Sequence, residues 1–358
     1  NFDWLKGKNA TDSKTIELIL EDLKNKDLLF YTELYPHIYP HCWRSGDELV
    51  FRLVDEWYIN MAWRDDIRKP VDEINWVPSW GKQREHEWLN NMGDWMISKK
   101  RYYGLTLPIY ACNCGHFDVI GSLEELKNRA VAGWDEFESS GASPHRPWVD
   151  VVRIACSNCG NTIKRIEDVG NAWLDAGIVP FSTIGYKTNP EYWKDWFPAD
   201  WISESFPGQF RNWFYSLLAL STVMEDRAPF KTLLGHGLVK DDTGREMHKS
   251  WGNTIWFDDA AEEIGVDVMR WMYALQNVEQ NLLFGYGPAD EVRKKIITLW
   301  NVYSFYATYA AVDGFDPIQH PLKKDSLTIL DRWIIAKTHL LLKTGQTAMD
   351  EFRVDRFM

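Results

Sequence analysis

Four cysteines, arranged as two closely spaced pairs, carry the clearest chemical signal in the chain. Cys112 and Cys114 form the first pair, Cys156 and Cys159 the second, and a glycine follows each pair. Glycine lets the backbone fold back so that amide groups can face thiolates. Two such turns make the four-thiolate donor set of a structural zinc ribbon. We therefore predict one structural Zn²⁺, with His116 as an alternative ligand because the first pair is tighter than a usual knuckle.

Other states of these cysteines stay open at the level of sequence. They could be reduced buried thiols, whereas a disulfide is disfavoured in a chain of cytosolic appearance. The fifth cysteine, Cys42, stands alone and receives no metal assignment.

A second candidate site centres on the polar loop "GREMHKSWGN", Gly244–Asn253. Lys249 and Ser250 are adjacent there and could clamp a polyphosphate. Just upstream, a strand-like run brings His236 and Gly237 to a strand end, where open α/β sheets bind their ligands. Gly237 would let a planar ligand approach the backbone, and His236 can donate or stack. Nucleotidyl transfer needs little more than positioning and charge stabilisation, so the pattern favours a nucleotide site.

Composition limits the classes of function. The chain has 358 residues, 45% of them apolar, and a net charge of −12, which is typical of a soluble globular protein with more than one domain. Bulk electrostatics give no support to nonspecific nucleic-acid binding, so any such contact must use local basic patches, at 98–104 or 293–295. We find no bilayer-spanning stretch and expect a cytoplasmic protein that does not bind membranes. The 20 tryptophans are best explained by core packing, although a carbohydrate-stacking surface is an alternative.

Hydrophobic periodicity predicts the elements that position these residues. Strands and helices alternate before about residue 288, which favours an α/β layer with a parallel sheet, and a helical bundle follows. The predicted segments are a helix within 1–36, a strand at 47–61, a helix at 84–100, a strand at 102–112, a loop at 170–186, helices at 211–224 and 258–275, and a strand at 232–239.

Read in order, the motifs resemble the class I aminoacyl-tRNA synthetases, specifically the isoleucyl-tRNA synthetase family. "REMHKSWGN" looks like the second signature loop of that class. The resemblance covers nearly the whole chain. Its further segments are "YPHCWR" (39–44), "DWMISKKRYYGLTLPI" (94–109), "DVGNAWLDAG" (168–177), "FPADWISESFPGQFRNWF" (197–214), "HGLV" (236–239) and "LDRW" (330–333).

The resemblance implies an enzyme that activates isoleucine with ATP and Mg²⁺ and transfers it to tRNA(Ile). Lys249 and Ser250 match catalytic signature positions, and Lys249 would neutralise charge on the departing pyrophosphate. His236 and Gly237 match residues of the adenosine pocket, while Met247 and Asn253 complete the ATP-binding set.

The amino-acid side is implied in the same way. Glu204 matches an acid that recognises the substrate amine or the adenylate, and Gln209 a glutamine beside it. Trp173 and Asp175 match a loop that walls the amino-acid pocket, where a tryptophan suits a branched aliphatic side chain.

The chain also departs from the family pattern. Glu246 and His248 replace a lysine and a serine of the signature, and we expect Glu246 to face away from the phosphates, toward Arg245 or solvent. The first signature, a His-x-Gly-His stretch, is not found. We therefore expect a fragment that does not activate isoleucine by itself, from an enzyme that is monomeric at full length.

The expected fold is the C-terminal half of the class I Rossmann-like domain, with a zinc-ribbon insert and a truncated C-terminal helical bundle. We assign 1–75 to the tail of an editing insertion, 76–111 and 166–287 to the catalytic domain, 112–165 to the zinc-ribbon insert, and 288–358 to the start of an anticodon-binding domain. A valyl- or leucyl-tRNA synthetase fragment is one alternative, because side chains that differ by one methylene are separated by only about 1–3 kcal/mol. A non-catalytic, RNA-binding zinc-ribbon and helical module is another.

Overall fold

The computed structural model describes residues 2–42, 45–101 and 103–358. These residues form two compact units, Asn1–Glu56 and Trp57–Met358. The last two residues of the segment 39–44, and the first residue of the strand predicted at 102–112, lie outside the described residues.

The strands are short and, apart from two, span two or three residues each. They are β1 (Tyr58–Ile59), β2 (Asn75–Val77), β3 (Trp95–Met96), β4 (Ser98–Lys99), β5 (Ile109–Ala111), β6 (Phe117–Val119), β7 (Ala130–Ala132), β8 (Arg153–Ala155), β9 (Thr162–Lys164), β10 (Val169–Gly170), β11 (Ala199–Ser205), β12 (Phe230–His236), β13 (Val239–Asp241) and β14 (Leu282–Phe284).

Helices occupy most of the remaining regular structure. They are α1 (Ser13–Asn25), α2 (Arg68–Glu73), α3 (Trp80–Asn91), α4 (Leu123–Arg129), α5 (Trp134–Ser139), α6 (Ala172–Gly177), α7 (Val179–Ser182), α8 (Pro190–Trp196), α9 (Phe206–Gln209), α10 (Trp213–Glu225), α11 (Phe257–Glu263), α12 (Val266–Leu275), α13 (Tyr286–Val312) and α14 (Ile329–Asp350), with 3₁₀ turns at Asp3–Leu5, Arg64–Ile67, Trp148–Val151, Lys249–Trp251, Lys324–Ser326 and Val354–Arg356.

The first unit contains α1, whose N-terminus is capped by the carboxylate of Asp12. This confirms a helix within residues 1–36. The strand predicted at 47–61 is wrong apart from β1, which belongs to the second unit. Its alternating apolar residues, such as Phe51 and Leu53, are fully exposed, so the alternation has no buried face to pack.

A parallel three-stranded sheet, ordered β11–β12–β2, forms the centre of the second unit. It confirms the predicted parallel α/β layer. The strand predicted at 232–239 is also present, as β12, which begins two residues and ends three residues before the predicted bounds. The register places Glu204 opposite Gly235 and Ser205 opposite His236. The predicted helix at 211–224 is confirmed as α10, which is apolar on most of its surface and packs with β12 and α3 in the main core.

The helix predicted at 84–100 is only half right. It begins earlier and ends at Asn91, after which the chain forms β3 and β4. Met92 is already extended, and the carboxylate of Asp94 accepts a hydrogen bond from the backbone N–H of Met61, 2.9 Å away. The apolar pattern could not predict this end of the helix, because Trp95 and Met96 fit both the helical period and the strand period. The contact between Asp94 and Met61 joins residues that are far apart in the sequence.

The cysteine-bounded segment has its own small core. Hairpin β5–β6 and sheet β7–β8–β9 surround the buried side chains of Phe137, Val152 and Ile154. The segment 170–186, predicted as a loop, instead contains the short helices α6 and α7.

The C-terminal region is helical from Tyr286 onward. The helix predicted at 258–275 is divided into α11 and α12 at Gly265, whose φ of 91° lies in the left-handed region. Within the described residues, α13 buries only Ala289 and Val292, and α14 only Gly345 and Ala348. No helix among the described residues is both long and apolar enough to cross a bilayer.

The main core buries several polar groups that lack a hydrogen-bond partner among the described residues, and one of them is a carboxylate. Glu85 is fully buried, and among the described residues neither carboxylate oxygen has a hydrogen-bond partner. Trp88 Nε1 and the Tyr215 hydroxyl are buried and unpaired in the same way. Burial raises the pKa of Glu85 well above its usual value, so the folded chain keeps this proton to a higher pH than the unfolded chain does.

This burial predicts a pH dependence of stability. The unfolded chain releases the Glu85 proton near pH 4.5, whereas the folded chain retains it to a higher pH. The free energy of unfolding should therefore fall as pH rises above that point. Glu85→Gln should remove this part of the slope, and Glu85→Leu should add about 2 kcal/mol at pH 8 in chemical denaturation. Glu87→Gln, on the exposed side of α3, is the control, and a Glu85→Gln curve parallel to wild type would contradict the assignment.

Candidate nucleotide site and metal centre

A cavity of about 380 Å³ lies at the carboxyl ends of β2 and β12. This is the volume range of small-molecule sites, at the edge where parallel α/β sheets bind ligands. His236 and Gly237, both predicted from sequence, line it. The other lining residues are Pro78, Trp80, Arg84, Phe206, Pro207, Phe210, Gly235, Val278, Glu279 and Asn281.

The backbone at Gly237 is crowded by protein. A Cβ at this position would lie 2.4 Å from the carbonyl oxygen of Gln280. The Gly237 N–H donates to the Val278 carbonyl at 2.8 Å, and Nδ1 of His236 lies 2.7 Å from the Gly237 carbonyl. Gly237 is therefore needed because segment 278–281 of the protein approaches its backbone closely, and not only because a ligand could do so. This segment forms the far wall of the cavity.

Glu204 and Gln209 follow on the neighbouring strand and on α9. Both are half-buried, and neither lines the cavity itself. Glu204 Oε1 accepts the N–H of Ser205 at 2.6 Å, and Gln209 Oε1 accepts the N–H of Trp213 at 3.2 Å. Glu204 is one register step from His236, so the structure brings the two predicted sides of the site to adjacent strand ends.

Trp173 and Asp175 lie on α6. The side chain of Asn171 caps this helix by accepting the Trp173 N–H at 3.0 Å. Trp173 is half-buried against the main core, whereas Asp175 is exposed. Neither residue lines the cavity.

The signature-like loop is held at its base by Asp241 and Asn253. The amide nitrogen of Asn253 donates to Asp241 Oδ2 at 2.8 Å and to the Glu246 carbonyl at 2.9 Å, while its oxygen accepts the His248 N–H at 3.0 Å. Hydrogen bonds from Thr243 and Asn253 lower the pKa of Asp241 to about 2. The side chain of Asn253 thus uses its hydrogen-bonding capacity within the loop.

The charged side chains at the loop tip rest on aromatic rings. Lys249 Nζ lies 4.6 Å from the centroid of Trp256, a cation–π contact. Lys249 and Ser250 are exposed and Met247 is half-buried. Glu246 faces solvent and His248, whose Nε2 is 3.4 Å away, so the expected partner Arg245 is replaced by His248.

Sequence reasoning missed the residues that shape the cavity most. Trp80 and Arg84 follow β2 on α3, and Glu279 and Asn281 precede β14. One sequence signal could have indicated this part of the cavity. Pro78 and Trp80 follow a short apolar run, and a proline after such a run marks the carboxyl end of a strand. Asp241, which organises the loop, was hidden within the hairpin "KDDTG".

The four paired cysteines come together in one cluster. Their sulfur atoms all lie within 4.8 Å of one another, with Cys112 and Cys159 3.5 Å apart and Cys114 and Cys156 3.9 Å apart. Tetrahedral zinc with bonds of about 2.3 Å places thiolate sulfurs about 3.8 Å apart, so the donor set fits this ion. The glycines after the pairs both have positive φ, as the turns require.

The surroundings of the cluster affect its thiols unequally and place His116 outside the donor set. The His116 backbone N–H and the Asn158 amide donate to Cys114 and lower its pKa to about 6. The pKa of Cys112, despite a hydrogen bond from the Cys114 backbone N–H, is raised to about 12 by hydrogen bonds with the neighbouring thiols. The His116 ring lies outside the cluster, with Nε2 2.9 Å from the Ser157 hydroxyl and 3.8 Å from Asp118.

A family model for class I tRNA synthetases (I, L, M and V) matches residues 8–284. Curated isoleucine–tRNA ligases are similar over nearly the whole chain. That of Thermus thermophilus is 39% identical over 340 residues, which are 93% of this chain and 32% of the relative. That of Clostridium tetani is 37% identical over 355 residues, 97% and 33% respectively. That of Methanopyrus kandleri is 34% identical over 357 residues, 94% and 33%.

Solved structures share the fold. Methionyl-tRNA synthetase of Mycobacterium tuberculosis, in complex with methionyl-adenylate, aligns with a TM-score of 0.56 and 15% identity, over 89% of this chain and 52% of that one. The Agrobacterium radiobacter K84 agnB2 LeuRS–tRNA–LeuAMS complex aligns with a TM-score of 0.51 and 18% identity, over 74% and 35%. At these identities the likeness concerns the fold alone.

Proposed function

Since this chain belongs to the class I tRNA synthetases of the isoleucine, leucine, methionine and valine group, we propose that it is part of an isoleucine–tRNA ligase. The enzyme would form isoleucyl-adenylate and pyrophosphate from isoleucine and ATP, then transfer the aminoacyl group to tRNA(Ile). The observation that carries this proposal is the cavity at the ends of β2 and β12, lined by His236 and Gly237. The choice of isoleucine is supported by the relatives, which are isoleucine–tRNA ligases.

The phosphate side of the site is proposed to lie on the loop at Lys249. Its ammonium group would leave the face of Trp256 and stabilise the charge that develops on pyrophosphate, alongside Mg²⁺ supplied with ATP. Ser250 would donate to the same phosphates, and Met247 would seat the loop near the adenine. Asn253, whose amide is engaged within the loop, would act as a positioning residue.

The amino-acid side is proposed to lie at the end of β11. Glu204 would accept hydrogen bonds from the substrate ammonium group, and Gln209 would lie beside it. Trp173 and Asp175 on α6 would close the pocket around the aliphatic side chain. Because Glu204 is one register step from His236, amino acid and adenosine would meet across two adjacent strand ends.

The chain spans about a third of the length of the curated relatives that it matches. In the described part of the chain β11 pairs with β12 alone, which leaves its other edge open for further strands. We propose that 76–111 and 166–287 form half of the catalytic domain, 1–75 the tail of an editing insertion, 112–165 a zinc-ribbon insert, and 288–358 the start of a helical anticodon-binding domain. The isolated chain is then inactive, and the complete enzyme is a cytoplasmic monomer.

Zinc is proposed as a structural ion held by Cys112, Cys114, Cys156 and Cys159. Bound there, it would cross-link the two cysteine turns, with no part in the reaction. The hydrogen bond that the Ser157 N–H donates to Asp118 Oδ2, 3.2 Å, and the Arg129–Asp118 ion pair, 2.8 Å, would orient the second turn.

Two alternatives make different predictions. A valyl- or leucyl-tRNA synthetase would share the site but activate valine or leucine in preference to isoleucine. A non-catalytic RNA-binding module would bind tRNA without any need for Lys249.

The catalytic proposal is tested by Lys249→Ala in the enzyme completed to the length of its relatives. Loss of the ammonium should lower isoleucine-dependent ATP–pyrophosphate exchange about 100- to 1000-fold and leave tRNA binding unchanged. Lys194→Ala, which removes an exposed charge from α8, should stay within twofold. The isolated 358-residue chain should show no exchange. Exchange in Lys249→Ala within threefold of wild type would refute the role of this loop.

The zinc proposal is tested by elemental analysis of the purified chain. We expect one Zn²⁺ per chain, and Cys156→Ser should lose it and unfold at a temperature lower by about 5 °C. Cys42→Ser, which removes the one cysteine that lies outside the four-sulfur cluster, should retain the ion. Wild-type protein that is zinc-free after growth in zinc-supplemented medium would contradict the assignment.

A further inference from the structure

A second cleft, of about 630 Å³, lies where β4, β9 and the loop before Trp148 meet. It shares no lining residue with the nucleotide cavity. Five cationic side chains line it against two carboxylates, in a chain whose net charge is −12. The cations are Lys100, Arg101, Arg146, Lys164 and Arg165, and the carboxylates are Glu167 and Asp168.

The floor of the cleft is a fixed ion network. Arg165 is buried and donates through Nε and Nη2 to one oxygen of Asp150, at 2.7 and 2.6 Å. Arg146 donates through Nε to the other oxygen at 2.9 Å. Two guanidinium groups therefore share the carboxylate of Asp150 beneath the cleft.

The same network ties the walls together. Arg146 Nη1 donates to the carbonyl of Glu167 at 2.6 Å and to that of Arg101 at 3.4 Å. The basic segment 98–101 is thereby joined to the end of the insert. The backbone that carries these cations is tied to the insert before any ligand binds, which lowers the entropic cost of binding.

The outer cations are exposed to solvent. Lys100 lies 3.5 Å from Asp168, whose side chain is only 18% exposed, and Arg101 is exposed. Lys164 lies 3.1 Å from Glu167, and both of these side chains are more than half exposed. An exposed pair such as Lys164–Glu167 contributes only about 0.2–1 kcal/mol, so a phosphate group can compete for Lys164.

An aromatic surface adjoins the cations. Tyr103 stacks on His145, with ring centroids 5.3 Å apart and planes 19° from parallel, and its side chain is 69% exposed. His145 directly precedes Arg146. A flat exposed ring beside a row of cations is the combination that binds single-stranded nucleic acid, through base stacking and backbone phosphates.

We propose that this cleft binds RNA, with backbone phosphates on Lys100, Arg101 and Lys164 and an unstacked base on Tyr103. Only the identity of the RNA, tRNA(Ile), rests on the proposed function. Free phosphate would use the same cations, but it would have no use for the tyrosine ring.

The test measures binding of a tRNA(Ile) transcript, and of a 12-nucleotide single-stranded RNA, to the full chain by fluorescence anisotropy between 50 and 200 mM salt. Lys100→Gln/Arg101→Gln/Lys164→Gln should weaken binding of both RNAs at least tenfold, with a salt slope smaller by about 2. Lys187→Gln/Lys194→Gln/Lys231→Gln, which makes the same change of charge elsewhere, should stay within twofold. Tyr103→Ala should weaken oligonucleotide binding at least fivefold with an unchanged slope, and Tyr103→Phe should restore it.

Equal losses in the cleft and control variants, or no RNA binding by the wild-type chain at 50 mM salt, would overturn the proposal. Competition by inorganic phosphate combined with wild-type affinity in Tyr103→Ala would identify a free-anion site and also overturn it. Binding of unrelated RNAs through the same residues would support the cleft and count against tRNA(Ile) alone. Failure of the catalytic proposal appears separately, in the exchange assay of Lys249→Ala.

Discussion

The site depends on one close contact, between Gly235 and the ring of Phe206. A Cβ at Gly235 would lie 1.9 Å from a carbon of that ring, so no other residue allows the ring to pack onto β12. The ring also meets Trp80 edge-on, with centroids 4.8 Å apart. This packing joins the ends of β2, β11 and β12, and it makes their three following segments the walls of one cavity. The register that brings Glu204 beside Gly235, and Ser205 beside His236, is part of the same arrangement.

Local patterns predicted the parts of this arrangement that depend on short stretches of chain. The types of neighbouring residues are enough to predict three features: the four cysteines on two glycine turns, the strand that ends at His236, and the apolar helix before that strand. The cavity wall at Glu279 and the end of α3 before Asp94 depend on contacts between segments that are distant in sequence. Hydrophobic periodicity, which is a local property, could not predict them. The strand expected at 47–61 failed for the opposite reason. Its alternation is regular, but strand formation also needs a face to bury, and Phe51 lies fully exposed.

The cationic side chains of the two proposed binding sites make either weak contacts or ion pairs with a shared carboxylate. Lys249 rests on Trp256, a contact worth about 0.5–1 kcal/mol at an exposed site, which a polyphosphate can outcompete. Arg146 and Arg165 share the single carboxylate of Asp150, and Lys164 is held by an exposed pair with Glu167. An acidic chain can therefore present two positive sites without general attraction for nucleic acid. Its net charge instead limits binding to these places.

The ends of β11 and β12 are proposed to form the amino-acid and adenosine sides of one site. The decisive measurement is a crystal structure of the enzyme, completed to the length of its relatives, with a non-hydrolysable isoleucyl-adenylate analogue. We expect the adenosine in the cavity against His236 and Gly237, with the analogue's amino group within hydrogen-bond distance of Glu204. An analogue bound elsewhere on the chain, with the cavity filled only by solvent, would contradict it.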